Sequence, residues 1–256
     1  MTAKDFEDVA VGDTAKWEVV GPTIYASVYG GGQDGHVRRD TKVTVLGGEI
    51  GKPYNATNIS LLKTDNLDDP QWLHRGNIYG GGSGITKYKY DFDGDGKTDK
   101  NNLSLTYNGK RVNEEDYSNS SGSVTHFTEV NILGGIIHRN VYGGGSMGSV
   151  GAPNMGQTYL PYKKGDTAEG HGVGKQSQNI VNIKGTIGSP TDYKQHYGGE
   201  VYGASRGLST LDANQFSTSV WTRVNILKGA KVMGNVFGGG DAGMVKKDAE
   251  VVVGGE

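Results

Sequence analysis

One phrase returns along the chain: Val28-Tyr29-Gly30-Gly31-Gly32, Ile78-Tyr79-Gly80-Gly81-Gly82, Val141-Tyr142-Gly143-Gly144-Gly145 and Val236-Phe237-Gly238-Gly239-Gly240. A fifth version, Val201-Tyr202-Gly203-Ala204-Ser205, reads as a decayed copy. Repeats that keep an aliphatic-aromatic-glycine core while their spacers vary in length are the signature of a stacked solenoid.

A second phrase precedes each of these. It reads Val43-Thr44-Val45-Leu46-Gly47-Gly48, Val130-Asn131-Ile132-Leu133-Gly134-Gly135, Val181-Asn182-Ile183-Lys184-Gly185 and Val224-Asn225-Ile226-Leu227, with Trp17-Glu18-Val19-Val20-Gly21 and Val251-Val252-Val253 in the same frame. Val28 follows Trp17 by the same interval that separates Val141 from Val130. Val43 likewise follows Val28 as Val251 follows Val236. The uninterrupted unit is therefore about 26 residues, and longer copies are that unit with insertions.

Within each phrase apolar residues alternate, the period of a half-buried strand, and no stretch sustains a helical period. A unit of such short strands cannot bury its own inward face. Units stacked at the strand spacing of roughly 4.8 Å pair in parallel and share one core. The expected fold is all-β: a right-handed parallel β-helix, its hand set by the general bias of parallel crossovers. Residues 1–256 are read as one domain, with 1–16 as an N-terminal cap and the last repeat cut short at the C-terminus.

Composition agrees. The chain has 44 Gly among 256 residues with no triplet period, and 14 Tyr and 3 Trp supply a core. A net charge of −2 without basic or acidic blocks argues against nucleic acid and anionic membranes as partners. Cysteine is absent, so no disulfide scaffold is available. No apolar run reaches transmembrane length, and no signal peptide opens the chain.

The pattern V-x-I-x-G-G followed by N-V-Y-G-G-G resembles the glycine-rich repeats of large Bacteroidetes surface proteins. That resemblance implies an adhesin-like β-helix, secreted or at the cell surface, of which this chain is a fragment lacking its signal peptide. It implies extracellular glycan or a host or bacterial surface protein as partner. An uncapped C-terminal edge adds the expectation of end-to-end self-association.

Insertions fall at two expected places. Residues 83–127, 146–178 and 206–220 follow the aromatic-glycine phrase, and 51–74 and 187–199 precede it. Such excursions commonly carry the binding function of a solenoid. The first contains the sharpest local motif, Asp91-Phe92-Asp93-Gly94-Asp95-Gly96-Lys97-Thr98-Asp99. Asp91, Asp93, Asp95 and Asp99, with the Lys97 carbonyl and Gly96 at the sharp turn, reproduce the spacing of a calcium loop. Asn102 stands where the loop's bidentate Glu belongs. Calcium would order this insert; an acidic hairpin turn without metal is the alternative.

Tyr29, Tyr79, Tyr142, Tyr202 and Phe237 share one register and form an aromatic ladder. It could offer sugars a platform, or close the corner of the coil as a structural stack. Asn131, Asn182 and Asn225 form a second column, expected to hydrogen-bond up the stack. The six His show no metal-ligand spacing. No nucleophile elbow, phosphate loop or zinc motif occurs, and the acidic residues do not recur on one sheet face. The reading is a structural, adhesive module without enzymatic activity. The alternatives are a glycan-binding or glycan-cleaving β-helix and a self-assembling rod.

Overall fold

The structure is a computed structural model that describes residues 21–33, 35–52, 75–84, 106–107, 110–111, 122–151, 178–189, 198–207 and 217–255. The expected cap at 1–16, the Trp17 phrase and most insert residues lie outside them. Among the described residues the chain is all-β, built from parallel strands in stacked sheets.

The alternating phrase forms the longest wall: β3 (Thr41–Val45), β8 (Thr128–Ile132), β11 (Gln178–Ile183), β15 (Trp221–Leu227) and β19 (Ala249–Gly255), neighbours in that order and all parallel. Its register matches phrase to phrase, Val43 opposite Val130, Val181, Val224 and Val251 in turn. A glycine-containing turn then leads to a second wall. It comprises β1 (Thr23–Ile24), β4 (Glu49–Ile50), β9 (Ile136–Ile137), β12 (Thr186–Ile187) and β16 (Lys231–Val232). The aromatic-glycine phrase makes the third: β2 (Val28–Tyr29), β5 (Ile78–Tyr79), β10 (Val141–Tyr142), β13 (Val201–Tyr202) and β17 (Val236–Phe237).

A fourth wall was not anticipated. Val37, Val124 and Val150 bridge in parallel, the Val150 amide donates to the Thr218 carbonyl, and β14 (Thr218–Ser219) pairs with β18 (Met244–Val245). Among the described residues the repeats thus contribute to four sets of strands, and each strand of these walls pairs in parallel with its counterpart in the neighbouring repeat. The apolar residues of three walls meet inside. Val130, Val181 and Val224 of the first, Ile137 and Ile187 of the second, and Val141 and Val201 of the third are all 0% exposed. Burying each contributes roughly 1.5–3 kcal/mol, which a two-residue strand obtains only through its neighbours.

The four-walled frame relocates the insertions, to three places rather than two. Residues 53–74 and 190–197 fall between second and third walls, and 85–121 and 208–216 between third and fourth. Residues 152–177 instead follow the fourth wall. The stretch ahead of them is framework: the Ser146 and Met147 amides donate to the Gly82 and Ser83 carbonyls, and Val150 sits in its ladder. Inside the insert at 85–121, β6 (Thr106–Tyr107) and β7 (Lys110–Arg111) pair antiparallel.

Candidate functional site

The rings of the third wall lie face to face. Centroids from Tyr29 through Tyr79, Tyr142 and Tyr202 to Phe237 are 4.7, 4.9, 4.9 and 5.0 Å apart, with interplanar angles of 13° or less. Such contacts contribute about 0.5–1.5 kcal/mol per pair beyond area burial. Pointing away from the aliphatic core, the rings form a cluster of their own at the corner. Tyr79 and Tyr142 are buried with both faces covered, and of the five only Phe237 is exposed. Each interior ring therefore presents its faces to its neighbours in the stack.

Burial pushes the phenols of Tyr29, Tyr79, Tyr142 and Tyr202 above their ordinary value near 10. At Tyr202 the Glu200 carboxylate, accepting the hydroxyl at 2.5 Å, adds to the rise. Arg206 opposes the rise at Tyr29, Tyr79 and Tyr142. Burial also raises the Asp241 carboxyl, against Arg206 and with Glu200. The hydroxyl edge of the stack is therefore a polar strip of neutral phenols flanked by charges.

Two side-chain ladders reinforce the walls. On the outer face of the long wall Asn225 donates to Asn182 at 2.7 Å, Asn182 to Asn131 at 2.7 Å, and Asn131 to Glu129 at 2.7 Å. Arg223 donates to the Asn225 carbonyl oxygen at 3.0 Å. The expected amide column therefore runs as a polarised chain from a guanidinium to a carboxylate, with Lys42 3.1 Å from Glu129. A second ladder precedes the aromatic phrase. The Asn77 side-chain oxygen accepts the Asn140 amide at 2.9 Å, and that of Asn140 accepts the Glu200 amide at 3.1 Å.

Sequence reasoning missed a third set, inside the stack. The Thr41, Thr128 and Thr222 hydroxyls donate to the carbonyls of Gly80, Gly143 and Gly238 at 2.5, 2.6 and 2.5 Å. These bonds tie the long wall to the third across the interior. The signal was present as a polar residue two places before Val43, Val130, Val181 and Val224, but alternation alone does not say that an inward polar residue has a partner.

The apparent decay at Ala204-Ser205 is not a loss of equivalence. Val201 and Tyr202 stand opposite Val141 and Tyr142, and the Ser205 hydroxyl accepts the Gly145 amide at 3.2 Å while donating to the Gly148 carbonyl at 3.0 Å. Ser205 thus fastens its neighbour's glycine turn.

Among the histidines, His138 is buried with Nε2 2.7 Å from Glu49, whose other oxygen accepts Lys52 at 2.7 Å. Burial alone would raise the Glu49 carboxyl; Lys52 and His138 together hold it below the usual range. Asp91, Asp93, Asp95, Lys97, Asp99 and Asn102 lie outside the described residues, and no group of three or more His, Cys, Asp or Glu within the described residues could hold a metal ion. No protein-family model, curated protein or solved structure matches the chain.

Proposed function

We propose that this chain is a right-handed parallel β-helix acting as a structural, adhesive module of a secreted or cell-surface protein. Its insertions present the binding surface for a glycan or protein ligand. The observation that carries this reading is the self-sufficiency of the recurring residues. Rings stack on rings, amides bond amides, and threonine hydroxyls bond glycine carbonyls within the body. Variation between rounds is concentrated instead in the segments between walls, which is where a solenoid carries its specificity. Calcium at Asp91, Asp93, Asp95, Asp99 and the Lys97 carbonyl would order the largest of these, a proposal resting on ligand spacing alone.

The test is a glycan array with and without calcium, run on the whole chain and on a variant in which a short glycine linker replaces residues 85–121. The reading expects ligand binding to disappear with an insert while the far-UV spectrum of the body persists. Binding that survives deletion of every insert, or calorimetry showing no calcium heat at millimolar concentration, would overturn the corresponding part.

A further inference from the structure

Most of the third wall repeats one polar arrangement on either side of its rings. Two places before the ring, the side chains of Ser27, Asn77 and Asn140 each accept a backbone amide from the next repeat. The donors are the amides of Asn77 at 3.1 Å, Asn140 at 2.9 Å and Glu200 at 3.1 Å. Four places after the ring stand Gln33, Ser83 and Ser146. All of these residues are neutral, and the ladder needs no charge.

At the fourth and fifth repeats both columns change character. Glu200 takes the ladder position before Tyr202, and its oxygens accept the Tyr202 hydroxyl at 2.5 Å and the Asn235 side-chain amide at 3.4 Å. Arg206 and Asp241 take the position after the ring. Their turns remain in the stack, the Arg206 amide donating to the Gly145 carbonyl and the Ala242 amide to the Arg206 carbonyl. Adjacent repeats lie roughly 4.8 Å apart, so two carboxylates, a guanidinium and a carboxamide gather around the hydroxyl edge of one ring. Beyond the effect of burial, the Asp241 charge acts on the hydroxyls of Tyr142 and Tyr202, which sets that carboxylate along the side of the stack.

Nothing in the stacking calls for these charges. An Asn at position 200 would serve the ladder as Asn140 does. Burial and the Glu200 charge both push the Asp241 carboxyl up, against Arg206, so the two carboxylates sit together at a cost. Departures from a repeat that cost stability without a structural return mark functional positions. The insertions of the same repeat adjoin this strip in sequence: 190–197 ends just ahead of Gly198-Gly199-Glu200, and 208–216 begins just after Arg206-Gly207.

The donor and acceptor set selects the ligand. Carboxylates only accept, a guanidinium only donates, and a carboxamide does both. Neighbouring sugar hydroxyls both donate and accept, so they satisfy such a set through charge-assisted hydrogen bonds. Two carboxylates against one guanidinium leave the strip net negative, which disfavours uronic and sialic acids. The guanidinium beside Asp241 disfavours a bare metal ion, and no group of three or more His, Cys, Asp or Glu within the described residues could hold one.

We propose that Glu200, Arg206, Asn235 and Asp241, set around the Tyr202 hydroxyl, form a binding site for the vicinal hydroxyls of a neutral saccharide. The site deepens the adhesive reading, on which it rests for the class of ligand, and ties that reading to the repeat that carries 190–197 and 208–216.

The experiment is an array of neutral, uronic-acid and sialylated oligosaccharides, with calorimetry on the hits. It is run on wild type, Glu200→Gln, Asp241→Asn, Lys42→Gln and the variant lacking 85–121. Wild type is expected to bind neutral oligosaccharides, and each carboxylate variant to bind them roughly tenfold or more weakly. Lys42→Gln, on the outer face of the long wall, is expected to bind as wild type does. Titrating wild type with the same saccharide should shift the amide resonances of residues 200–206, a readout that needs no variant to fold. Equal affinity in wild type and both carboxylate variants, preference for acidic glycans, no glycan bound, or shifts confined to other residues would overturn the site. Binding lost without 85–121 but kept in both carboxylate variants would overturn the site and leave the adhesive reading standing. Binding kept through deletion of every insertion but lost in those variants would do the reverse.

Discussion

Replacing Gly143 by Ala tests whether the recurrent glycine is a packing requirement. Gly143 does not have a positive φ, so alanine has no backbone strain there and the whole effect is steric. The added methyl would lie 2.9 Å from both the Gly203 carbonyl carbon and Val181 Cγ2, and closer still to the Gly203 oxygen. The displaced segment is anchored, because the Gly143 amide donates to the Tyr202 carbonyl at 2.9 Å and Thr128 donates to the Gly143 carbonyl at 2.6 Å. Overpacking of a filled interior costs about 1–3 kcal/mol. Each hydrogen bond lengthened or broken adds about 1 kcal/mol. The sum is roughly 3–5 kcal/mol, or about 6–20 °C in thermal midpoint for a chain of this size. The assay is thermal unfolding by far-UV circular dichroism, with Gly47→Ala as control: a methyl added at Gly47 would meet nothing within 4 Å, and its φ is not positive. That control should be neutral or stabilising by about 0.4–1 kcal/mol through the unfolded chain. Equal effects from the two substitutions would refute the close-packing account of the phrase.

Thr128→Val, nearly isosteric, should destabilise by about 1–3 kcal/mol because it leaves the buried Gly143 carbonyl without its donor; urea denaturation measures it. Asn182→Ala interrupts the amide chain in its middle and should cost about 1–3 kcal/mol, against near-neutrality for Thr44→Ala, which is exposed on the same face. Glu49 has a folded-state pKa below its unfolded value of about 4.3, so its ion pairs contribute stability in full above that pH. This contribution is lost as pH falls through the lowered value, and a pH series of thermal midpoints should show Glu49→Gln removing part of the acid-side decline.

Much of the framework could be read directly from the residues. Val43, Val130, Val181, Val224 and Val251, which hold the same place in each phrase, are register partners in the long wall, because an inward β-branched column has only one way to meet itself. The amide column was legible for the same reason. The fourth wall was not: Val37, Val124 and Val150 are single bridging residues, and one apolar residue carries no period. Ring orientation was also hidden, since alternation turns Tyr142 away from Val141's core but does not reveal that neighbouring rings will cover it. Ser205 shows the complementary limit. Its departure from the glycine pattern reads as decay in sequence, yet its hydroxyl bonds the adjacent repeat. The acidic segment beginning at Asp91, proposed to hold calcium from its spacing, is local sequence chemistry and lies outside the described residues.

The central claim is that like phrases from successive rounds lie side by side across whatever is inserted between them. The native chain has no cysteine, so a disulfide can report this without interference. Lys42 and Glu129 are register partners on the outer face, separated in sequence by two of the insertions. Neighbouring strands sit about 4.8 Å apart, within the roughly 4.4–6.8 Å Cα range that a disulfide spans. The Lys42→Cys/Glu129→Cys protein should therefore close an intramolecular disulfide on mild oxidation, detected by mass spectrometry of proteolytic fragments. The out-of-register pair Thr44→Cys/Glu129→Cys should not. Failure of the first pair, or equal closure of both, would contradict the stacked register on which the account depends.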